Sequence, residues 1–240
     1  MDIVITSCLN SSQKESVQSL LADVKKKESL TVSFPMEDGE LFLLGRIGKR
    51  LCAVLSFIRE GQLSYECSAF THPSFRRQGL FSCLLEKGLS LLPPEAELFF
   101  YTDGNSSDAL NALDAIGAIL CSKEHMMTLS PEKVRELPVS GLTVSETAES
   151  GSTLLLFTDS FGSVRILVYP SHYYLYAFEI QDNFRNQGHG TALLRKVLSF
   201  LAAKKAMPVR LQVSGDNLPA IRLYEKTGFQ ISETLSCFLY

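Results

Sequence analysis

The spacing of hydrophobic and polar residues changes period along the chain, and it does so twice in the same order. Behind a strand-like DIVITSC, the positions Val17, Leu20, Leu21 and Val24 recur at helical spacing and predict an amphipathic helix over roughly residues 12–27. LFLLGRI and LCAVLSFI then read as paired strands turning at Gly48-Lys49, with LSYECSAFTH as a third strand. Helical spacing returns in FRRQGLFSCLLEKGLSLL, and ELFFYTDG, SSDALNALDAIGA and ILCSKEHMMTL follow as strand, helix and strand. The second half repeats the series: STLLLFT and SVRILVY paired around residues 160–162, the strand YYLYAFEIQD, and the helix FRNQGHGTALLRKVLSFL. It closes with the strand VRLQVSGDN, the helix LPAIRLYEKTGF and the strand ISETLSCFLY. Each half therefore predicts the order β-β-β-α-β-α-β.

The repetition extends to residue identity. Residues 75–92 and 184–201 align without gaps, and ten of their eighteen positions are identical. Two units built alike are the economical explanation. The division is expected within residues 130–141, a polar segment with two prolines, giving domains 1–131 and 132–240. The second half has only GLTVSETAESG before its hairpin, so the first helix of the series is expected to be missing there. Formal charge is −4 over residues 1–131 (12 basic, 16 acidic) and +1 over 132–240 (11 basic, 10 acidic).

Composition narrows the function classes. The net charge of −3 and pI near 5.9 give no electrostatic footprint for nucleic acid. Lys25-Lys26-Lys27 reads as the solvated end of a helix rather than a binding patch. The six cysteines form no CxxC pair and no metal-ligand pattern with histidine, so free thiols in a reducing cytoplasm and no bound metal are expected. Met1-Asp2 does not begin a signal peptide, and no apolar run of spanning length occurs, so no membrane association is expected.

The candidate chemistry lies in RNQGHG, residues 185–190. A helix N-terminus presents unpaired N–H groups and a partial positive charge, a natural site for phosphate. Gly188 and Gly190 keep side chains away from such an approach, and Arg185 and Gln187 stand where they could add donors. Behind this loop Leu194, Val197, Leu198 and Leu201 form the buried stripe of the helix. A strand-to-helix turn without a ligand would look similar, so the loop alone leaves both readings open.

The loop R-x-Q-G-x-G, followed about thirty residues later by N-x-x-A-x-x-L-Y-E-x-x-G-F at residues 217–229, resembles the GCN5-related N-acetyltransferase (GNAT) superfamily. The resemblance covers about residues 150–240 and extends to the first half in element order and first motif. It implies an α+β fold, the α/β-type GNAT fold: two tandem acyl-CoA N-acyltransferase-like units, each a mixed, mostly antiparallel sheet flanked by helices. It implies acetyl-CoA as co-substrate and transfer of its acetyl group to a primary amine. Arg185, Asn186, Gln187, Gly188, His189, Gly190 and Thr191 match the loop holding the CoA pyrophosphate through main-chain amides. Phe178, Glu179 and Ile180 match the strand end beside the pantetheine arm. Asn217 and Ala220 belong to the second motif, where two strands splay to admit acetyl-CoA. Tyr224 matches the tyrosine that often protonates the leaving thiolate, and with Ile221 and Leu223 beside it also reads as a core aromatic of an amphipathic helix. Glu179 has two readings: a proton relay through water, or a strand carboxylate facing solvent. Asn217 also reads as a helix cap, and His189 as structural.

The first half departs from the pattern. Phe81 stands where the last glycine would be, and Leu113 where the tyrosine would be. N105 keeps an asparagine, but the spacing to Gly117 is one residue longer. The first unit is therefore expected to be a degenerate copy serving as scaffold and as a wall of the acceptor site. The acceptor is a small-molecule or peptide amine, and the internal repeat suits a monomer, an internal pseudo-dimer, or a weak homodimer. A non-catalytic acyl-CoA-binding or regulatory module is the alternative.

Overall fold

The computed structural model describes residues 1–134, 138–149 and 152–240. Its contacts divide the chain into two compact units, Met1–Ser122 with Leu235–Tyr240, and Lys123–Thr234. The expected boundary at 131/132 lies in the connection whose residues 135–137 are outside the described residues. The last six residues group with the first unit because Ser236–Leu239 pair with Phe99–Thr102 in antiparallel register.

In the first unit β1 (Asp2–Thr6) leads to α1 (Ser11–Lys27), then β2 (Leu41–Ile47), β3 (Arg50–Arg59) and β4 (Ser64–Thr71). There follow α2 (Leu80–Leu89), β5 (Glu97–Thr102), α3 (Ser107–Ile116) and the start of β6 (Ile119–Leu129). β1 to β5 are neighbours in chain order, antiparallel except for the parallel β4–β5 pair. α1 starts in a capping box: the Asn10 side chain accepts from the Gln13 N–H while the Gln13 side chain accepts from the Asn10 N–H. Its Lys25, Lys26 and Lys27 end the helix where a partial negative charge favours them. Val17, Leu20 and Val24 are buried as the spacing predicts. They pack with Phe42, Leu44 and Val54 of one sheet face. Leu43, Ala53, Leu55 and Phe57 face the other way, against Leu84 and Leu85 of α2. Covered on both faces, β3 is buried from Leu51 to Phe57 without alternation.

The second unit takes up the rest of β6, then β7 (Thr143–Glu149), β8 (Ser152–Thr158), β9 (Gly162–Val168) and β10 (Tyr173–Ile180). It continues through α4 (His189–Lys204), β11 (Val209–Ser214), α5 (Leu218–Lys226) and the first half of β12 (Gln230–Leu239). The strand order is β6-β11-β10-β9-β8-β7, with β10–β11 the parallel pair. β7 pairs directly with β8, and among the described residues no helix stands where α1 stands in the first unit. With only α4 and α5 to cover it, the sheet is buried on one face, through Leu155, Phe157, Val164, Ile166 and Leu175, while Arg165 points to solvent. Both units are the mixed, mostly antiparallel sheets with flanking helices that the sequence implies.

Candidate functional site

The site begins where two strands part. β10 and β11 pair only through Tyr173–Leu175 and Val209–Leu211, and residues 176–180 run on without a β11 partner. On its other edge β10 carries a bulge, the register with β9 shifting between Tyr176 and Glu179. Ala177 lies there at φ +47, a backbone region that a residue with a Cβ adopts only when its surroundings hold it. Splay and bulge together release backbone groups of β10 from the ladder, on the strand end carrying Phe178, Glu179 and Ile180.

The loop after β10 is organised by its own side chains. Arg185 Nε donates to the Ile180 carbonyl at 2.9 Å, and its guanidinium pairs with Asp182 at 2.8 Å. The Gln187 amide donates to the Asn183 carbonyl at 2.8 Å. Both side chains thus fold back on the loop. The donors left facing outward are main-chain N–H groups of the first turn of α4, at His189, Gly190 and Thr191. Asn186 at φ +58 and Gly188 at φ +86 make the turn into the helix. A Cβ on Gly188 would meet nothing within 4 Å, so this glycine serves the backbone conformation and leaves the approach open. Gly190 has a different cause: a Cβ there would come within 2.8 Å of Leu223 Cδ1, with Ile180 and Phe178 next. His189 stacks on Phe161 with ring centroids 3.8 Å apart, which makes it a packing residue.

α5 supplies the remaining pieces. Asn217 Oδ1 accepts from the Ala220 N–H at 3.2 Å and caps the helix. Tyr224 is buried, its ring 6.3 Å from Phe178 and 5.7 Å from Phe229. Thr227 donates its hydroxyl to the Tyr224 carbonyl at 2.8 Å and fixes the helix end. Burial pushes the Tyr224 phenol up to about 12. Its hydroxyl hydrogen-bonds to no described residue. Phe178, Ile180, Gly190, Leu223 and Tyr224 therefore meet on one side of β10. Glu179, between Phe178 and Ile180, points to the opposite face and is exposed. Leu223, Phe161 and the bulge at Ala177 did not show in the sequence as parts of the site. Leu223 stood beside Tyr224 in the second motif and was readable as its neighbour.

The first unit repeats the loop closely. Arg77 has φ +59 and Gly79 φ +75. Arg76 Nε donates to the Thr71 carbonyl and the Gln78 amide to the Ser74 carbonyl, each at 3.3 Å. Both second helices end on a glycine of positive φ, Gly117 and Gly228. Counted back from these, Ser106 rather than Asn105 occupies the position of Asn217. Ser106 Oγ caps α3 by accepting from the Ala109 N–H at 3.1 Å. The one-residue difference in spacing thus disappears. β4 and β5 also part, after Glu66 and Phe99. β4 has no bulge: its register with β3 is regular from Tyr65 to Thr71. A cavity of about 440 Å³ lies in this unit, every lining residue falling between Val24 and Ile116.

With the geometry in place, residues 129–229 match the family model for the acetyltransferase (GNAT) family. Over the whole chain the fold is similar to a GCN5-related N-acetyltransferase from Sphaerobacter thermophilus (TM-score 0.66, 14% identity, 99% of this chain and 95% of that one). It is also similar to a tandem GNAT protein from the clavulanic acid biosynthesis pathway (TM-score 0.64, 12% identity, 100% and 98%). The family match is thus confined to residues 129–229, while the likeness to these two structures is one of fold over the whole chain. A shorter stretch of 60 residues is 37% identical to mycothiol acetyltransferase of Corynebacterium glutamicum, covering 25% of this chain and 20% of that protein. The Corynebacterium aurimucosum protein of the same name is 36% identical over 64 residues, covering 27% and 21%. The chain thus spans about a fifth of the length of these curated relatives. Among the described residues no helix is long and apolar enough to cross a membrane, and no group of three or more His, Cys, Asp or Glu side chains is placed to hold a metal.

Proposed function

We propose that the second unit transfers an acetyl group from acetyl-CoA to a primary amine. One observation carries this reading: the parted strands β10 and β11, the open first turn of α4 and the buried ring of Tyr224 belong to one side of one sheet. The N–H groups of His189, Gly190 and Thr191 suit the pyrophosphate, and the unpaired edge of β10 suits the amide-bearing arm of the same substrate. Acetyl-CoA supplies an activated acyl carbon with a thiolate as leaving group. The relatives named as acetyltransferases and the tandem GNAT neighbour support acetyl as the transferred group.

The amine must arrive uncharged, its nitrogen attacking the thioester carbonyl carbon as the carbon–sulfur bond breaks. Holding the two reactants together supplies much of the rate. Tyr224 faces the sulfur as a hydrogen-bond donor. Complete proton transfer from a phenol at about 12 to a thiolate of pKa about 8.5 is uphill by about 5 kcal/mol. The phenol therefore stabilises the departing thiolate by hydrogen bonding and keeps its own proton. Glu179, on the opposite strand face, takes through water the one proton that the attacking nitrogen loses as the amide forms, and CoA leaves as the thiolate. Asn217 acts as the cap that aims α5. The first unit, without the tyrosine and without the bulge, is a non-transferring copy serving as scaffold. Its six free thiols suit a protein working in the cytoplasm.

The deciding experiment measures acetyl-CoA binding by calorimetry and CoA release over a panel of primary amines, in the wild type and in Tyr224→Phe. Binding with amine-dependent release that the variant loses supports the transferase. Binding without release for any amine would make the protein an acyl-CoA-binding module instead.

A further inference from the structure

We propose that the cavity of the first unit is a separate binding site for an uncharged, mainly apolar small molecule carrying one amide or hydroxyl group, held without being turned over. At about 440 Å³ it falls within the range of about 300–1,000 Å³ typical of small-molecule sites. It opens between β4 and β5, beneath α2 and α3, and belongs wholly to this unit.

The charges at the cavity are already matched. Arg76 Nη2 reaches Glu28 at 3.0 Å and Nη1 reaches Asp108 at 2.9 Å. Glu28 also accepts from the Ser106 hydroxyl at 3.1 Å. The Arg76 and Glu28 side chains are only 14% and 12% exposed. An ionic ligand entering here would leave its own charge without a partner or would have to break this cluster, and either is costly. Arg77 lines the cavity 80% exposed, its Nε 3.9 Å from Asp108, so two cations face two carboxylates there.

Most of the wall is hydrocarbon and aromatic, with Ser33, Ser68, Thr71 and Asn111 as polar points in it. Phe81 replaces the glycine of the second unit, and its ring packs edge-on against Phe100 at 6.3 Å. Opposite it, Ala112 stands where the second unit has Leu223, so bulk has moved from one helix to the other and the space is reshaped rather than filled. Leu113 in place of Tyr224 removes the donor that a leaving group would need. Polar recognition remains at the strand edges. Past Glu66 and Phe99 the facing edges of β4 and β5 have no ladder partner, and they can bond one amide or hydroxyl of a ligand lying between them.

This inference does not depend on the transferase reading, and its test leaves that reading untouched. The full-length protein is titrated with the uncharged fluorophore N-phenylnaphthylamine, with and without saturating acetyl-CoA, alongside Ala112→Trp. The expected result is saturable binding of one equivalent per chain with a blue-shifted emission, unaffected by acetyl-CoA and lost in the variant. Should Ala112→Trp fail to fold, Ala69→Phe fills the same space from the strand side and carries the same expectation. Displacement of the fluorophore by acetyl-CoA would overturn the proposal and make the cavity a second acyl-CoA site. Absence of binding, or binding that persists in the folded variants, would overturn it equally.

Discussion

The loops before α2 and α4 have almost the same backbone: Arg77 and Asn186 at φ +59 and +58, Gly79 and Gly188 at +75 and +86. Their arginines and glutamines bond to the same relative carbonyls. Around these matched loops the clefts differ in several side chains, three of them decisive here, in one backbone step and in the partners of one arginine. Tyr224, Leu223 and Gly190 of the second unit are Leu113, Ala112 and Phe81 of the first. β10 is bulged where β4 is regular. Arg185 pairs with exposed Asp182, whereas Arg76 is enclosed by Glu28 and Asp108. The turn is held by bonds from its own arginine and glutamine to main-chain carbonyls and is present in both copies. What a ligand would touch is set by a handful of side chains, free to diverge because the loop does not depend on them.

The widest separation between the units should appear in turnover. Tyr224→Phe is expected to lower kcat by about a hundred-fold, the lower end of general-acid effects, because a phenol at about 12 acts by hydrogen bonding. Acetyl-CoA affinity should stay unchanged, and Leu113→Tyr should add no activity, since the first unit also lacks the bulge. Steady-state CoA release measures both. Equal losses from Tyr224→Phe and Leu113→Phe would erase the comparison.

Stability should separate the two arginines. Arg76→Ala strands Glu28 in a half-closed environment and is expected to cost about 3 kcal/mol. Arg185→Ala removes an exposed ion pair and one hydrogen bond, about 1 kcal/mol. Urea unfolding of the two variants reads the difference. Equal costs would mean that the Arg76 cluster is no better enclosed than the Arg185 pair.

The same cluster sets an acid limit. The hydrogen bond from Arg76 holds the Glu28 carboxyl below its ordinary 4.5. On acidification below that value the unfolded chain takes up a proton that the folded protein refuses, so stability falls as pH drops through the folded value. Tyr224 works the other way: between pH 10 and about 12 only the unfolded phenol loses its proton, and stability falls as pH rises. Glu28→Gln should flatten the acid limb and Tyr224→Phe the alkaline one, in thermal melts across pH. A limb unchanged by its variant would remove that group from the account.

Element order was readable because it rests on local period, and α1 to α5 fall on the predicted stretches, but β7, in the polar TVSETAE, was not read as a strand. Asn217 and the RNQGHG loop were readable for the same reason, each being a short segment whose chemistry needs no distant partner. What escaped depends on distance in sequence. The acids around Arg76 lie 48 and 32 residues away. The bulge at Ala177 is a property of the β9–β10 register, and alanine carries no mark of a positive φ. Ser106 and Asn105 are both good caps, and only the helix register chooses between them. The end of β12 joins the first unit through pairing with β5, more than a hundred residues earlier.

The smallest effect concerns the two glycines of the RNQGHG loop, alike in sequence and different in cause. Gly188→Ala meets empty space but must hold φ +86, a cost of about 1 kcal/mol from backbone conformation. No second substitution should recover it, so combination with Leu223→Ala should be additive. Gly190→Phe meets Leu223, and Leu223→Ala should recover about 1 kcal/mol of its cost by recreating the Phe81–Ala112 arrangement of the first unit. Urea midpoints for both double-mutant cycles decide the matter. Coupling at Gly190 with none at Gly188 means that the second glycine exists for helix packing and was exchanged, together with its partner, when the units diverged. Additivity at both would return Gly190 to the role the sequence suggests, leaving room for a ligand.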